Sequence, residues 1–265
     1  MKKKEKASII NLYNPESGQG KTSILQMMTS VYGNPDIDAK LINIWGDTEN
    51  SIVNRLGYMN NLATAVDEMT NVTPDALHNF LKFVASGRGR NRMGSGGTNK
   101  ERQNDTTFNL ICVVSSNTDF RTVAISKKAK ASGDIARFFQ IEIDYDDTMT
   151  KEEADNYYSL MYDNYGHAGE IYAQYIIANI DQIKQQLDAL QIKIDKELKV
   201  PTVDRKFSAL FAVVFLGAMI AKKLGIHNIS IEPIYKKIAI EYKKNKDEVV
   251  ERDFNAVQTL GDFLL

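Results

Sequence analysis

The run Ser8-Ile9-Ile10-Asn11-Leu12-Tyr13, with Asn14-Pro15-Glu16-Ser17-Gly18-Gln19-Gly20-Lys21-Thr22 directly after it, constrains this chain more than any other segment. A short β-rich run that stops at an Asn-Pro turn signal predicts a first strand. From Lys21 to Tyr32 the apolar residues Ile24, Met27, Met28 and Val31 recur at helical spacing, and Gly33 closes the pattern. A strand, a glycine loop and a helix in that order form the βα entry to a phosphate site. Glycines let backbone amides curl around an anion, and a helix N-terminus favours negative charge. The loop is close to the pattern G-x-x-x-x-G-K-[ST], with Pro15 where the first glycine stands. On that pattern Ser17, Gly18, Gln19, Gly20 and Ser23 frame the phosphates. Lys21 reaches the β- and γ-phosphates, and the Thr22 hydroxyl ligates Mg²⁺. The expected ligands are therefore ATP and Mg²⁺.

A second segment supports the first. Leu62-Ala63-Thr64-Ala65-Val66 is a short apolar run ending in Asp67-Glu68, about 45 residues past the loop. Read with the loop, Asp67 joins the metal shell and Glu68 polarises an attacking water. Read alone, they are solvated acids at the end of a strand. Asn117, after the apolar run Phe108 to Val114, is either a turn residue or a group holding the lytic water. Arg137, in Ala136-Arg137-Phe138-Phe139, is either a surface ion-pair partner or an arginine finger for a neighbouring subunit's site, with Arg121 as second candidate. Arg205 opens the helix carrying Phe207, Leu210, Phe211 and Val214 and is a candidate to reach the phosphates from the helical region.

Around these segments the pattern predicts strands near 40–45, 62–66, 108–114 and 138–143. Helices are expected from Thr48, from Thr73-Pro74-Asp75 to about Ser86, and over about 127–137. Past residue 148 helical spacing takes over. Ile176, Ile180, Ile183, Leu187, Leu190, Ile194 and Leu198 form the seam of one long helix, about 168–199. Two further helices are expected, Val203 to Leu224 and Ile231 to Lys244. The expected fold is α/β, a three-layer P-loop NTPase core over 1–148 with an all-helical region over 149–265.

Between 87 and 107 lies a glycine-rich insert carrying Arg88, Arg90, Arg92, Lys100 and Arg102. Such a stretch binds nucleic acid phosphates by charge, without reading sequence; its alternative is a solvated linker. The net charge of −1 does not announce such a partner for the whole molecule. The single cysteine, Cys112, excludes an internal disulfide, suits a reducing compartment and sits in an apolar run as a buried structural thiol. The longest apolar run, Ala209 to Ile220, is too short to span a bilayer, and the start Met1-Lys2-Lys3-Lys4-Glu5-Lys6 lacks the apolar stretch that a secretory signal needs after its basic residues. A cytoplasmic protein is expected, and the early position of the first strand fits a segment of a longer one.

Taken together, GQGKTS, Ser30-Val31-Tyr32-Gly33-Asn34-Pro35, Thr48 with Asn50, Val66-Asp67-Glu68, Ala85-Ser86-Gly87-Arg88-Gly89-Arg90-Asn91-Arg92 and Arg205-Lys206-Phe207 resemble a family of helicase-like ATPases from phages and mobile elements, catalogued as a domain of unknown function. The resemblance implies an AAA+-like fold near the minichromosome-maintenance helicases and a hairpin before the strand that leads to Asn117. It also implies trans-acting arginines, a hexameric ring on single-stranded or forked DNA, and an upstream primase or polymerase module. The expected function is a DNA translocase or replicative helicase motor. A packaging or helicase-loading ATPase, and a non-catalytic ATP-bound scaffold, remain as alternatives.

Overall fold

Five short runs pair into one parallel sheet in the computed structural model, which describes residues 7–46, 49–89, 92–93, 101–102, 106–126, 132–144 and 149–246. The strands are β1 (Ser8–Tyr13), β2 (Ile42–Ile44), β3 (Thr64–Asp67), β6 (Ile111–Ser116) and β7 (Phe138–Glu142), in the spatial order β2-β3-β6-β1-β7. Two further strands, β4 (Arg92–Met93) and β5 (Glu101–Arg102), form a separate antiparallel pair. Parallel strands need crossover helices, and these cover both faces, so each strand buries both of its sides.

Alternation along the strands sorts the core. Ile9, Cys112, Val114 and Phe138 point to the face covered by α2 (Glu49–Met59), α3 (Pro74–Ser86) and α4 (Phe120–Ile125), through residues such as Leu56, Phe80, Leu81 and Phe120. On the opposite face Leu12, Ala65 and Val113 pack on Leu25 of α1 (Lys21–Ser30). Ile10, Ile111, Phe139 and Ile141 share that face with α8 (Ile180–Glu197) and α9 (Arg205–Lys223). The helical half of the chain thus packs directly on the sheet. Phe139 meets Phe211 edge-on at 4.9 Å between centroids, with Phe207 beside them at 5.9 Å. Burying rings of this size contributes about 1.5–3 kcal/mol each.

Local signals explain most boundaries. Thr73 caps α3 through its hydroxyl on the Ala76 amide, with Pro74 at the first helical position. Thr64, an unusual residue for an apolar strand, is fully buried, and its hydroxyl accepts from Asn43 at 3.5 Å.

Three expectations need correction. No single helix runs over 168–199, because α7 (His167–Ala178) and α8 are separated at Asn179. That residue leaves helical geometry with φ −123°, and its side-chain amide donates to the Tyr175 carbonyl. The fourth core strand begins at Ile111 rather than Phe108. The Phe108 amide bonds to the Gly87 carbonyl and its ring packs on Phe83, so 106–108 belong to the stem of the insert. The helix expected over 127–137 is replaced by α4, capped by Asp119, and by the short α5 (Ser132–Ile135); residues 127–131 lie outside the described ones. The last helix among the described residues, α10, spans 231–246.

A buried polar chain crosses the face covered by α3 and α4. Asn11 on β1 donates to Gln140 on β7 at 2.9 Å. The same Gln140 oxygen accepts from the Phe120 amide at 3.1 Å, and its nitrogen donates to Asp119 at 3.0 Å. Burial opposes ionisation of Asp119, but the Arg121 charge and hydrogen bonds from Gln140 and Arg121 outweigh it and hold the carboxyl below its usual range. A depressed carboxyl stabilises the fold above its unfolded value of about 3.9 and loses that contribution as pH falls through the folded value. Cys112 is fully buried, which pushes its thiol up to about 12 and leaves it inert as a nucleophile.

Replacing Gln140 by Leu strands the Asn11 amide and the Phe120 backbone N–H in the core, while Asp119 keeps its bonds from Arg121 and Thr122. Urea unfolding should lose about 2–4 kcal/mol. Asp119→Asn should show a smaller loss of stability than the parent protein on acidification below about pH 4.

Candidate functional site

Strand order places the site. From β1 the chain crosses by α1 to the far edge at β2, then steps inward through β3 to β6. It then passes over β1 to reach β7. The adjacent strands β1 and β6 therefore send their connections in opposite directions, and the crevice outside the carboxyl ends of such strands is where open α/β sheets bind ligands. A cleft of about 1150 Å³ lies there. It is lined by the loop and first turn from Ser17 to Ser23, by Asp67, Glu68, Ser115 and Asn117 at strand ends, and by a wall from 149 to 158.

The loop between β1 and α1 is shaped by its own sequence. The Asn14 side chain accepts from the Glu16 amide at 2.7 Å, a tight Asx turn, and donates to the Ile143 carbonyl at 2.6 Å. Pro15 is accommodated inside that turn. Gly18 and Gly20 take φ values of +79° and +74°. A Cβ at either position would meet nothing within 4 Å, so backbone conformation and not space calls for glycine here. Gly20 serves as N-cap of α1 without a side-chain cap, which leaves first-turn amides pointing into the cleft.

The polar side chains converge tightly. Lys21 is 8% exposed, and its ammonium donates to the carbonyls of Asn14 at 2.9 Å and Glu16 at 2.7 Å. Burial lowers its pKa, and the charge of Asp67 partly offsets this. The Thr22 hydroxyl donates to Asp67 at 3.0 Å, and Ser115 also donates to that carboxylate. Ser115 further accepts from the Glu68 amide at 3.0 Å. Glu68 itself has φ +59°, the left-handed region that costs a residue with a side chain about 1–3 kcal/mol. Asn117 donates to Ser17 at 2.9 Å across the mouth of the cleft. An oxygen-only pair, the Thr22 hydroxyl and the Asp67 carboxylate, suits a small hard cation that keeps several waters. The loop's free amides and Lys21 suit an anion beside it.

The sequence-derived residues are thus partly brought together. Ser17, Gly18, Gln19, Gly20, Lys21, Thr22, Ser23, Asp67, Glu68 and Asn117 line one cleft. Arg137 and Arg205 are not among its lining residues. Arg137 lies before β7, at the opposite sheet end, and donates to Asp134 at 2.8 Å and to the Gly133 carbonyl at 2.6 Å. Arg205 opens α9 over the sheet face. In the insert, Arg88 bridges to Thr107, and Arg92 and Arg102 face each other in the antiparallel β4–β5 pair. Arg90 and Lys100 lie outside the described residues.

Two contributors were missed by sequence reasoning. Ser115 reaches Asp67 because β3 and β6 pair with Ala65 opposite Val113 and Val66 opposite Val114, and that pairing is not readable from either strand alone. The wall from α6 (Lys151–Asp163) carries Tyr157 and Tyr158. Its start was readable, since Thr150 and Glu153 form a capping box.

Residues 2–104 match a family described as a domain of unknown function, DUF927. No curated protein gives a significant match. Among solved structures the chain superposes on one titled "SCCmec type IV Cch - active helicase", with TM-score 0.73 and 21% identity, over 98% of this chain and 46% of that one. The two share a fold, and the chain spans less than half of that protein's length. No helix among the described residues is long and apolar enough to cross a membrane.

Because Glu68 holds a left-handed backbone that glycine adopts freely, Glu68→Gly should not lower stability. It should raise the urea midpoint, by up to about 1 kcal/mol in stability.

Proposed function

We propose that this chain is the P-loop ATPase part of a DNA translocase or helicase of a phage or mobile element. One observation carries the reading: Thr22 and Asp67, which come from different strand–loop units, meet at 3.0 Å beneath a loop whose two glycines are left-handed. A strand end, a glycine loop and an acid brought to one point are what a metal–triphosphate complex requires.

In this reading the amides from Gly18 to Thr22 hold the phosphates. Lys21 exchanges its two loop carbonyls for phosphate oxygens. Thr22 and Asp67 hold Mg²⁺, and Ser115 orients the Asp67 carboxylate. The metal, when bound, supplies neutralisation of phosphate charge. Glu68, beside Asp67 on the same lip of the cleft, takes the proton of the attacking water. Asn117 aligns that water from the far side, next to Ser17. Arg137 acts on a neighbouring subunit's site in a ring, which its distance from its own cleft permits, and it must first leave Asp134. Arg205, at the start of α9, is assigned to sensing the phosphates from the helical region.

The fold shared with a protein titled an active helicase supports DNA as the partner. So does the basic hairpin with Arg88, Arg92 and Arg102, joined in sequence by Arg90 and Lys100. In this reading the basic residues of the insert hold the strand backbone by charge while the cleft turns over ATP.

Purified protein should hydrolyse ATP in a Mg²⁺-dependent way, with stimulation by single-stranded DNA. Stimulation by duplex alone would point to packaging, and binding without turnover to a scaffold. Glu68→Gln should keep ATP binding while kcat falls about 10²–10⁴-fold, and normal turnover would remove Glu68 as the base. Neutralising Arg88, Arg92 and Arg102 together should weaken DNA binding and reduce its salt slope by about 2–3. An unchanged slope would take the hairpin out of the DNA path.

A further inference from the structure

The cleft is longer than the phosphate reading uses. Beyond Thr22 it continues along the outer side of α1 to Ser23 and Met27 and is closed by Met149, Ala154, Tyr157 and Tyr158. Helix α6 is docked on α1 by three hydroxyls in register. Tyr158 bonds Ser23, Tyr162 accepts from Gln26 at 2.9 Å, and the Tyr157 hydroxyl meets the Met27 sulfur at 3.3 Å. The helix rises about 1.5 Å per residue, so Met27 lies roughly 9 Å along the axis from Lys21. That is the separation a triphosphate needs from its base. The far end of the cleft is apolar, yet its side chains stand in water: Met27 is 43% exposed, Tyr157 44% and Met149 54%. A flat aromatic ligand is what would cover a methionine–tyrosine–methionine wall of this kind.

From this geometry we infer that α6 supplies the nucleobase platform of the site, with Tyr157, Met27 and Met149 packing on a purine ring. The inference rests on the nucleotide reading above and names the substrate class it accepts. The hydroxyls nearest the wall are already engaged. Thr150 donates to Glu153 at 2.8 Å, and Tyr158 is held on Ser23. Recognition here is therefore by ring area more than by hydrogen bonds to the base edge. Stacking rewards the larger ring, so ATP and GTP bind comparably, and CTP and UTP bind more weakly.

The test is calorimetric binding with Mg²⁺, comparing ATP, GTP, CTP and inorganic tripolyphosphate on the full chain. The wild-type protein should bind ATP and GTP within about 3-fold of each other, and both more tightly than CTP. Tyr157→Ala should weaken ATP by about 3- to 10-fold and leave tripolyphosphate unchanged. Tyr157→Phe, which keeps the ring and loses only the Met27 contact, should bind ATP as the parent does. If ATP and tripolyphosphate weaken equally in Tyr157→Ala, that tyrosine supports the loop and holds no base, and the inference fails. It fails equally if ATP binding is unaffected, and rejection of GTP removes the ring-area rule. A wild-type protein that binds neither ATP nor tripolyphosphate overturns the nucleotide reading itself, a result distinct from all of these.

Discussion

Strands β1 and β3 never touch, yet the loop after one and the acid ending the other must meet for this cleft to exist. Strand β6 lies between them and makes the meeting possible. It pairs with both, carries Ser115 at the level of Asp67, and bonds both the carboxylate of Asp67 and the amide of Glu68 through that one hydroxyl. Thr22 approaches from the α1 side to complete the cluster. Three elements distant in sequence are thereby held to one point at the carboxyl end of the sheet. Each buried polar group there has a partner, which is the condition for placing charge at the edge of an apolar core.

The same logic extends outward from the cleft. The Asn11–Gln140–Asp119 chain ties β1 to β7 and to the start of α4, so the strand that launches the glycine loop is braced on its other side as well. The face carrying Ile10, Phe139 and Ile141 is closed by α8 and α9, which makes the helical half a structural layer of the sheet. Helix α6 is placed differently, against the outer side of α1. The close approach of Gly169 to the Val31 carbonyl, where a Cβ would sit at 2.6 Å, pins the following helix to the end of α1. Helix α1 is thus joined to the helical half through α6 and α7, and the sheet through α8 and α9.

One strained residue sits where chemistry is expected. Glu68 is one of five non-glycine residues with positive φ among the described residues, and it is the one that lines the cleft. Its backbone is held there by Ser115 on the Glu68 amide and by the Ser115 carbonyl on Met69. The left-handed backbone at Glu68 ends the strand and sets this carboxylate among the cleft-lining residues. Folding stability is exchanged for that placement.

Much of this was legible in the chain itself. Residues Ser8 to Lys21 carry strand, Asx turn, two left-handed glycines and helix start within fourteen positions, and local signals of that kind depend only on near neighbours. The Thr73-Pro74 start of α3, the buried Cys112 and the strand ending at Asp67 were readable for the same reason. What local pattern cannot carry is the pairing of distant segments. The order β2-β3-β6-β1-β7, the role of Ser115, the break at Asn179 in a seam that reads as continuous, and the arrival of Tyr157 beside Met27 all depend on contacts between residues tens to a hundred or more positions apart. Periodicity says which face of a segment is buried and leaves open against what, because the hydrophobic effect that drives burial has no direction. The partner is chosen only when the whole sheet closes.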